Sequence, residues 1–98
     1  MKAYFLFTAS GPVVILTSYD SIEHPELLVK LRAKGFDKFV AHELSIEDTK
    51  ARYGGHFDVV CNDLHESDHL RVLDYNGQRI YKNLSFNELG CPFYYEPE

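Results

Sequence analysis

The amino-acid sequence predicts an α+β domain in which a mixed sheet of about five to six strands carries two helices on one face. Three observations predict this class. The first two strand-like segments are apolar on consecutive residues, two helix-like segments have recognisable ends, and an Asn-Gly dipeptide separates two further strand-like segments. The predicted order of elements is ββαβαβββ, and residues 1–98 form a single domain.

The first two predicted strands, 3–8 and 13–17, are separated by a turn at 9–12 that contains glycine and proline. A strand with one solvent-exposed face alternates apolar and polar residues, whereas these two strands are apolar on consecutive residues. We therefore expect both to be buried on both faces, either centrally in the sheet or beneath a second copy of the chain. The second option makes a homodimer one of the predicted states.

Two helices are predicted from their ends. In the first, Pro25 suits the opening turn and Gly35 suits the left-handed position just past the last turn. The second begins after Ser45, an N-cap residue, and ends at two consecutive glycines, 54 and 55. A strand over 36–44 connects the two helices.

Three more strands are predicted after the second helix. Segment 56–61 is interpreted as a strand because Phe57, Val59 and Cys61 alternate with other residues. Segments 70–75 and 78–84 flank Asn76-Gly77, a strong signal for a β-hairpin. The strands that flank the helices favour parallel pairing and the hairpins favour antiparallel pairing, which is why we predict a mixed sheet.

Composition limits the classes of function. The formal charge of −5 disfavours binding to nucleic acids and to anionic membranes. Two cysteines, Cys61 and Cys91, are too few for a disulfide-stapled secreted domain, and the sequence shows no secretory signal or membrane-spanning run. We expect a cytoplasmic protein in which Cys61 is a small buried residue.

One segment matches a catalytic pattern: His65-Glu66-Ser67-Asp68-His69. It resembles the zincin class of metallopeptidases, in which two histidines four residues apart bind zinc and the glutamate activates water. That resemblance implies His65 and His69 as metal ligands and Glu66 as the general base. The third ligand stays open among His42, His56 and Glu88.

The residues around this segment argue against the helix that the pattern requires. Between 63 and 70 only Leu64 and Leu70 are apolar, and a spacing of six residues makes no helical stripe. Asp68 also puts a charge where the buried motif helix usually carries an uncharged residue. We therefore interpret 63–70 as a solvated polar connection, with the zinc site as the alternative.

Three consecutive aromatic residues, 93–95, lie within a possible extended tail at 91–98. They are expected to cover an edge of the core or to dock on a partner. The function we predict is a small non-catalytic binding or regulatory module, without a cofactor, whose partner is a protein or a small molecule. The alternative is a zinc-dependent hydrolase that uses His65, Glu66 and His69.

Overall fold

The structure is a computed structural model that describes residues 1–75 and 93–95. The elements in chain order are β1 (Lys2–Thr8), β2 (Gly11–Thr17), α1 (Pro25–Ala33), β3 (Phe39–Leu44), α2 (Ile46–Tyr53), α3 (Phe57–Asn62), β4 (Leu70–Asp74) and β5 (Phe93–Tyr95). The predicted α+β class is confirmed. No helix in the described part of the chain is long and apolar enough to cross a membrane.

The five strands form one sheet in the order β4-β2-β1-β3-β5, and every described pair is antiparallel. The predicted mixed sheet is therefore wrong for the described residues. Strands β2 and β3, which flank α1, do run in the same direction, as the sequence suggested. They do not pair with each other because β1 lies between them and is antiparallel to both.

Strands β1 and β2 are covered on both faces, as their continuous apolar runs predicted. The residues of both runs are almost fully inaccessible to solvent: Ala3, Tyr4, Phe5 and Leu6 in β1, and Val13, Val14, Ile15 and Leu16 in β2. Alternate residues point to opposite faces, so each strand contributes to two separate apolar clusters. Both strands lie inside the sheet order, so burial needs no second copy of the chain.

The helices lie on different faces of the sheet, which corrects the prediction of two helices on one face. Helix α1 packs Leu27 and Leu31 against one face, called here the α1 face. Helix α3 packs Phe57 and Val60 against the other, called the α3 face, where Tyr53 of α2 also lies. Strands that are apolar on both faces need cover on both sides, and this placement supplies it.

Segment 56–61 was predicted to be a strand and forms helix α3 instead. The buried residues there are Phe57 and Val60, and Leu64 beyond the helix continues the same cluster. Spacings of three and four residues place these side chains on one side of a helix. Val59, which strand alternation would have buried beside Phe57, is 56% exposed. The apolar spacing that decides the structure of this segment is therefore helical and not alternating.

The predicted ends of α1 and α2 are confirmed. At the end of α1, the Phe36 N–H donates to the Leu31 carbonyl at 3.0 Å and the Gly35 N–H donates to the Arg32 carbonyl at 3.0 Å, with Gly35 at φ 96°. This pair of bonds is a Schellman motif. At the start of α2, the Ser45 hydroxyl accepts the Asp48 N–H at 3.3 Å.

The end of the chain is described in part. Phe93, Tyr94 and Tyr95 form β5 beside β3, and the first and last of them pack against the core of the α1 face. This placement agrees with the prediction that the aromatic residues cover a core edge. The predicted turn at Asn76-Gly77, the predicted strand 78–84 and the rest of the 91–98 segment lie outside the described residues.

Candidate functional site

The segment that matched the zincin pattern forms consecutive turns between α3 and β4. Asp68 and His69 have left-handed backbones, with φ angles of 66° and 65°. The His69 N–H donates to the Leu64 carbonyl at 2.7 Å, and the Ser67 N–H donates to the Asp63 carbonyl at 3.0 Å. A left-handed residue ends a right-handed helix, so residues 65–69 do not lie on one helical face.

The two histidines of the pattern are nevertheless neighbours. Their ring centroids are 4.9 Å apart and their planes are nearly perpendicular, at 89°. His65 and Glu66 are exposed, whereas His69 is half-buried. Among the candidates for a third ligand, His42 is fully buried in β3, His56 is exposed at the start of α3, and Glu88 lies outside the described residues.

A zinc site needs several ligands at one point. In residues 1–75 and 93–95, no three His, Cys, Asp or Glu side chains come close enough together to hold a metal ion. The contact between His65 and His69 fits a pair of imidazole ligands. The turn conformation does not fit the helix that places the glutamate of a zincin, so we derive no hydrolytic step through a metal.

The backbone of His69 ties this turn to the end of β2. Its carbonyl accepts the Ser18 N–H at 3.1 Å and the Thr17 hydroxyl at 2.7 Å. Thr17 is fully buried, so one end of this anchor lies in the core. Three short hydrogen bonds, counting the one from the His69 N–H, therefore hold His69 at a defined position.

The side chain of His69 meets the two residues that follow β2. Its Nδ1 atom lies 2.7 Å from the Ser18 hydroxyl oxygen, within a hydrogen bond. Its ring centroid lies 5.8 Å from that of Tyr19. Tyr19 in turn packs on His24, with centroids 4.5 Å apart and planes tilted by 30°. A row of four rings, His65, His69, Tyr19 and His24, thus crosses this end of the molecule.

Helix α1 holds the other side of the row. His24 is the N-cap residue, and its Nδ1 atom accepts the Glu26 N–H at 3.2 Å. The Tyr19 hydroxyl donates to Glu26 Oε2 at 3.0 Å. These two bonds orient the His24 and Tyr19 rings relative to the start of the helix, where His24 caps α1.

Lys30 connects α1 to the turn. Its Nζ atom donates to the Asp68 carbonyl at 2.7 Å, lies 3.5 Å from Asp68 Oδ1 and lies 5.3 Å from the centre of the Tyr19 ring. Hydrogen bonding to Tyr19 raises the pKa of Lys30, and the charge of Asp68 adds to the effect. Lys30 is therefore a permanent cation at neutral pH. We call Ser18, Tyr19, His24, Lys30, His65 and His69 the tyrosine–histidine cluster.

Of the residues in this cluster, the sequence pointed to a functional role only for His65 and His69. Ser18 and Tyr19 follow a predicted strand and Lys30 lies in a predicted helix, and none of them belongs to a motif. Ser18 and His69 are 51 residues apart in the chain. The apolar patterns of β2 and β4 were the available signal. They predict two strands, but the end of β2 lies beside the start of β4 only because the two strands pair, and the patterns do not reveal that pairing.

Cys61 does not join the cluster. Its side chain is half-buried and packs against the core of the α3 face, in partial agreement with the expected buried residue. Burial raises the pKa of its thiol, and the nearby charge of Asp58 raises it further. Since the thiolate is the reactive form, this environment disfavours a role for Cys61 as a nucleophile.

Comparison with known proteins assigns no family. The chain matches no protein-family model, no curated protein and no solved structure. The geometry of the tyrosine–histidine cluster is therefore the basis from which a function is inferred.

Proposed function

We propose that this protein is a small non-catalytic binding module and that the tyrosine–histidine cluster is its ligand site. The observation that carries the proposal is convergence. The segment after β2, helix α1 and the 63–69 turn are separate in sequence, yet they bring three of the five histidines, a tyrosine, a serine and a lysine to one partly exposed place. Few polar residues that serve only solubility would be held by so many directed contacts.

The environment of these groups favours binding over catalysis. Lys30 stays protonated, so it is a poor base or nucleophile. Ser18 contacts His69, but His69 packs against a second imidazole, whereas the base of a catalytic triad is oriented by an acidic partner. Aromatic rings with hydrogen-bonding edges, in contrast, suit recognition of a ligand.

The proposal can be tested with amide NMR spectra of the labelled protein during a screen of small soluble fragments. We expect the fragments that bind to shift the NMR signals of cluster residues, because the cluster combines flat rings with nitrogen and oxygen atoms that form hydrogen bonds. The variant Tyr19→Leu removes the central ring and should abolish those shifts. His56→Ala is the matched control, since His56 is an exposed histidine outside the cluster whose side chain makes no cap hydrogen bond.

The cluster is not the ligand site if the fragments shift the amide signals of residues elsewhere. The same conclusion follows if the fragments shift the cluster signals equally in Tyr19→Leu and His56→Ala.

A second candidate is the zinc-dependent hydrolase, with His65 and His69 as ligands and Glu66 as the general base. The contact between the two imidazole rings supports it, and the turn conformation of the segment weakens it. Zinc binding measured by calorimetry separates the candidates. Near-stoichiometric zinc that is lost in His65→Ala and kept in His56→Ala would favour the metal site. No zinc binding by the folded protein would end this alternative.

The predicted homodimer and cytoplasmic location are part of the same proposal. A monomeric mass at high protein concentration, measured by light scattering during gel filtration, would remove the homodimer from it. A location outside the cytoplasm, seen with antibodies in the source cell, would contradict the proposed cytoplasmic location.

A further inference from the structure

A cleft of about 190 Å³ lies between the end of helix α1 and the turn before β4. We call it the lysine cleft, and its lining residues are Lys30, Ala33, Lys34, Ser67, Asp68 and Leu70. We propose that this cleft binds a small organic acid as its monoanion, with the carboxylate at the lysines and a short apolar chain on Ala33 and Leu70. The inference goes beyond the proposed function, because the lysine cleft shares only Lys30 with the tyrosine–histidine cluster.

Both walls of the lysine cleft are held in place. The Lys30 ammonium donates to the Asp68 carbonyl at 2.7 Å, which ties α1 to the turn. Within the turn, the Ser67 N–H donates to the Asp63 carbonyl at 3.0 Å. Leu70 is buried in the core of the α1 face. The shape of the cleft therefore exists before a ligand binds, which lowers the entropic cost of binding.

The charges that line the cleft suit a monoanion. Lys30 and Lys34 bring two ammonium groups and Asp68 brings one carboxylate, so one positive charge is left over. The Asp68 carboxylate lies 3.5 Å from Lys30 and its side chain is 88% exposed. One carboxylate on a ligand matches the remaining charge, whereas a dianion exceeds it.

Each wall of the cleft offers a donor to a ligand. Within residues 1–75 and 93–95, neither the Lys34 ammonium nor the Ser67 hydroxyl forms a hydrogen bond or an ion pair. Both groups donate to carboxylate oxygens. Arg32 differs, since it lies 3.8 Å from Asp37 and does not line the cleft. A ligand carboxylate therefore finds one donor on the helix and one on the turn.

Two effects oppose an anion in this position. The end of α1 carries the negative end of the helix dipole, and the chain has a net charge of −5. The first effect is reduced because the carbonyls of Lys30, Leu31 and Arg32 already accept N–H groups that follow the helix. Salt screens the second beyond about 8 Å at physiological ionic strength. We therefore expect weak binding whose specificity is set by contacts inside the cleft.

The test uses butyrate, whose six non-hydrogen atoms suit a cleft with the volume of about six water molecules. Butyrate is titrated at constant ionic strength and about pH 8, where ordinary imidazoles are uncharged, while the amide NMR signals are followed. We expect saturable shifts at Ala33, Lys34, Ser67 and Leu70 with a dissociation constant on the order of 1 mM. Acetate lacks the chain and butanamide lacks the charge, so each should bind at least about threefold more weakly.

Two variants at the end of α1 provide the matched comparison. Lys34→Gln should weaken butyrate binding about threefold to fivefold, the loss of one exposed charge contact. Arg32→Gln is the control, because it removes the same charge from the last turn of the helix but lies outside the cleft. It should leave butyrate binding nearly unchanged.

Asp68→Asn should have the opposite effect. It removes the carboxylate that competes with the ligand for Lys30, so butyrate should bind about twofold to fivefold more tightly. Asparagine tolerates the left-handed backbone of residue 68, at φ 66°, so the turn should keep its conformation.

Equal weakening by Lys34→Gln and Arg32→Gln would overturn the inference, since net charge alone would then explain the binding. Weaker binding by Asp68→Asn would also overturn it, as would sulfate that binds more tightly than butyrate. If fragments shift the signals of the tyrosine–histidine cluster and butyrate does not bind, the inference fails and the proposed function stands. If butyrate binds as expected and no fragment shifts the cluster, the inference stands and the proposed function fails.

Discussion

The two faces of the sheet are covered in different ways. On the α1 face, one nine-residue helix with defined ends buries Leu27 and Leu31, and its first two turns also hold the tyrosine–histidine cluster. On the α3 face, the eight-residue α2 and the six-residue α3 share the cover, with Phe57 and Val60 at the centre. Strands β1 and β2 contribute buried side chains to the apolar clusters on both faces.

The difference shows which parts of the molecule depend on packing. Helix α1 has an N-cap, a proline in its first turn and a Schellman motif, so local signals help it to form. Helix α3 is short, and its N-cap residue His56 makes no side-chain cap bond. A helix of six residues is not stable alone in water, so α3 depends on its contacts with the sheet.

The sharpest test of the α3 face is a pair of neighbouring substitutions. Val60→Asp buries an unpaired charge and should destabilise the protein by about 3–5 kcal/mol. Val59→Asp changes an exposed residue and should stay within about 0.5 kcal/mol. Urea unfolding measures both. A larger loss for Val59→Asp would mean that 57–62 is a strand after all.

On the α1 face, Leu31→Ala removes a fully buried side chain and should cost about 2–5 kcal/mol. Val29→Ala is the control on the same helix, because Val29 is 68% exposed and its change should be within about 0.5 kcal/mol. Thermal and urea unfolding report the difference. Because Lys30 lies in α1 and His24 caps it, Leu31→Ala should also disturb the NMR signals of the cluster. Val60→Asp lies on the opposite face of the sheet and should disturb these signals less under conditions in which the variant stays folded.

Tyr4 connects the sheet to the loop before α1, and its hydroxyl is expected to make the stability of the protein depend on pH. Its hydroxyl accepts the Ile22 N–H at 3.0 Å, and burial, more than any other effect, raises its pKa above the ordinary value of 10.0. Above that value the unfolded chain releases the phenol proton while the folded protein retains it, so stability is lost as the pH rises through the raised folded pKa.

The variant Tyr4→Phe tests this connection. It should cost about 1–3 kcal/mol at neutral pH, because the buried Ile22 N–H loses its acceptor. It should also reduce the loss of stability above about pH 10. Unfolding by urea at several alkaline pH values measures both effects. An unchanged alkaline slope in Tyr4→Phe would show that other groups cause it.

The smallest expected effects compare the N-caps of the two helices on the α3 face. Ser45→Ala removes the bond from the Ser45 hydroxyl to the Asp48 N–H and should cost about 1 kcal/mol. His56→Ala removes no cap bond from α3 and should have almost no effect. Equal losses in unfolding experiments would contradict the view that α3 depends on packing rather than on local signals.

Several elements of this fold follow from neighbouring residues alone. The runs in β1 and β2 predicted burial on both faces, because a strand with one wet face needs polar residues at alternate positions. The ends of α1 and α2 were predicted from Pro25, Gly35 and Ser45, whose preferences act within one turn of the chain. The sequence by itself determined these features, together with the α+β class.

Other features were decided only by the tertiary structure. Segment 57–62 contains both an alternating and a helical apolar pattern, and packing on the sheet selected the helix. The placement of β1 between β2 and β3 replaced the expected parallel pairing. The tyrosine–histidine cluster joins Ser18 to His69 across 51 residues. No local propensity encodes such a contact, because it exists only once β2 has paired with β4 and α1 has packed against the sheet.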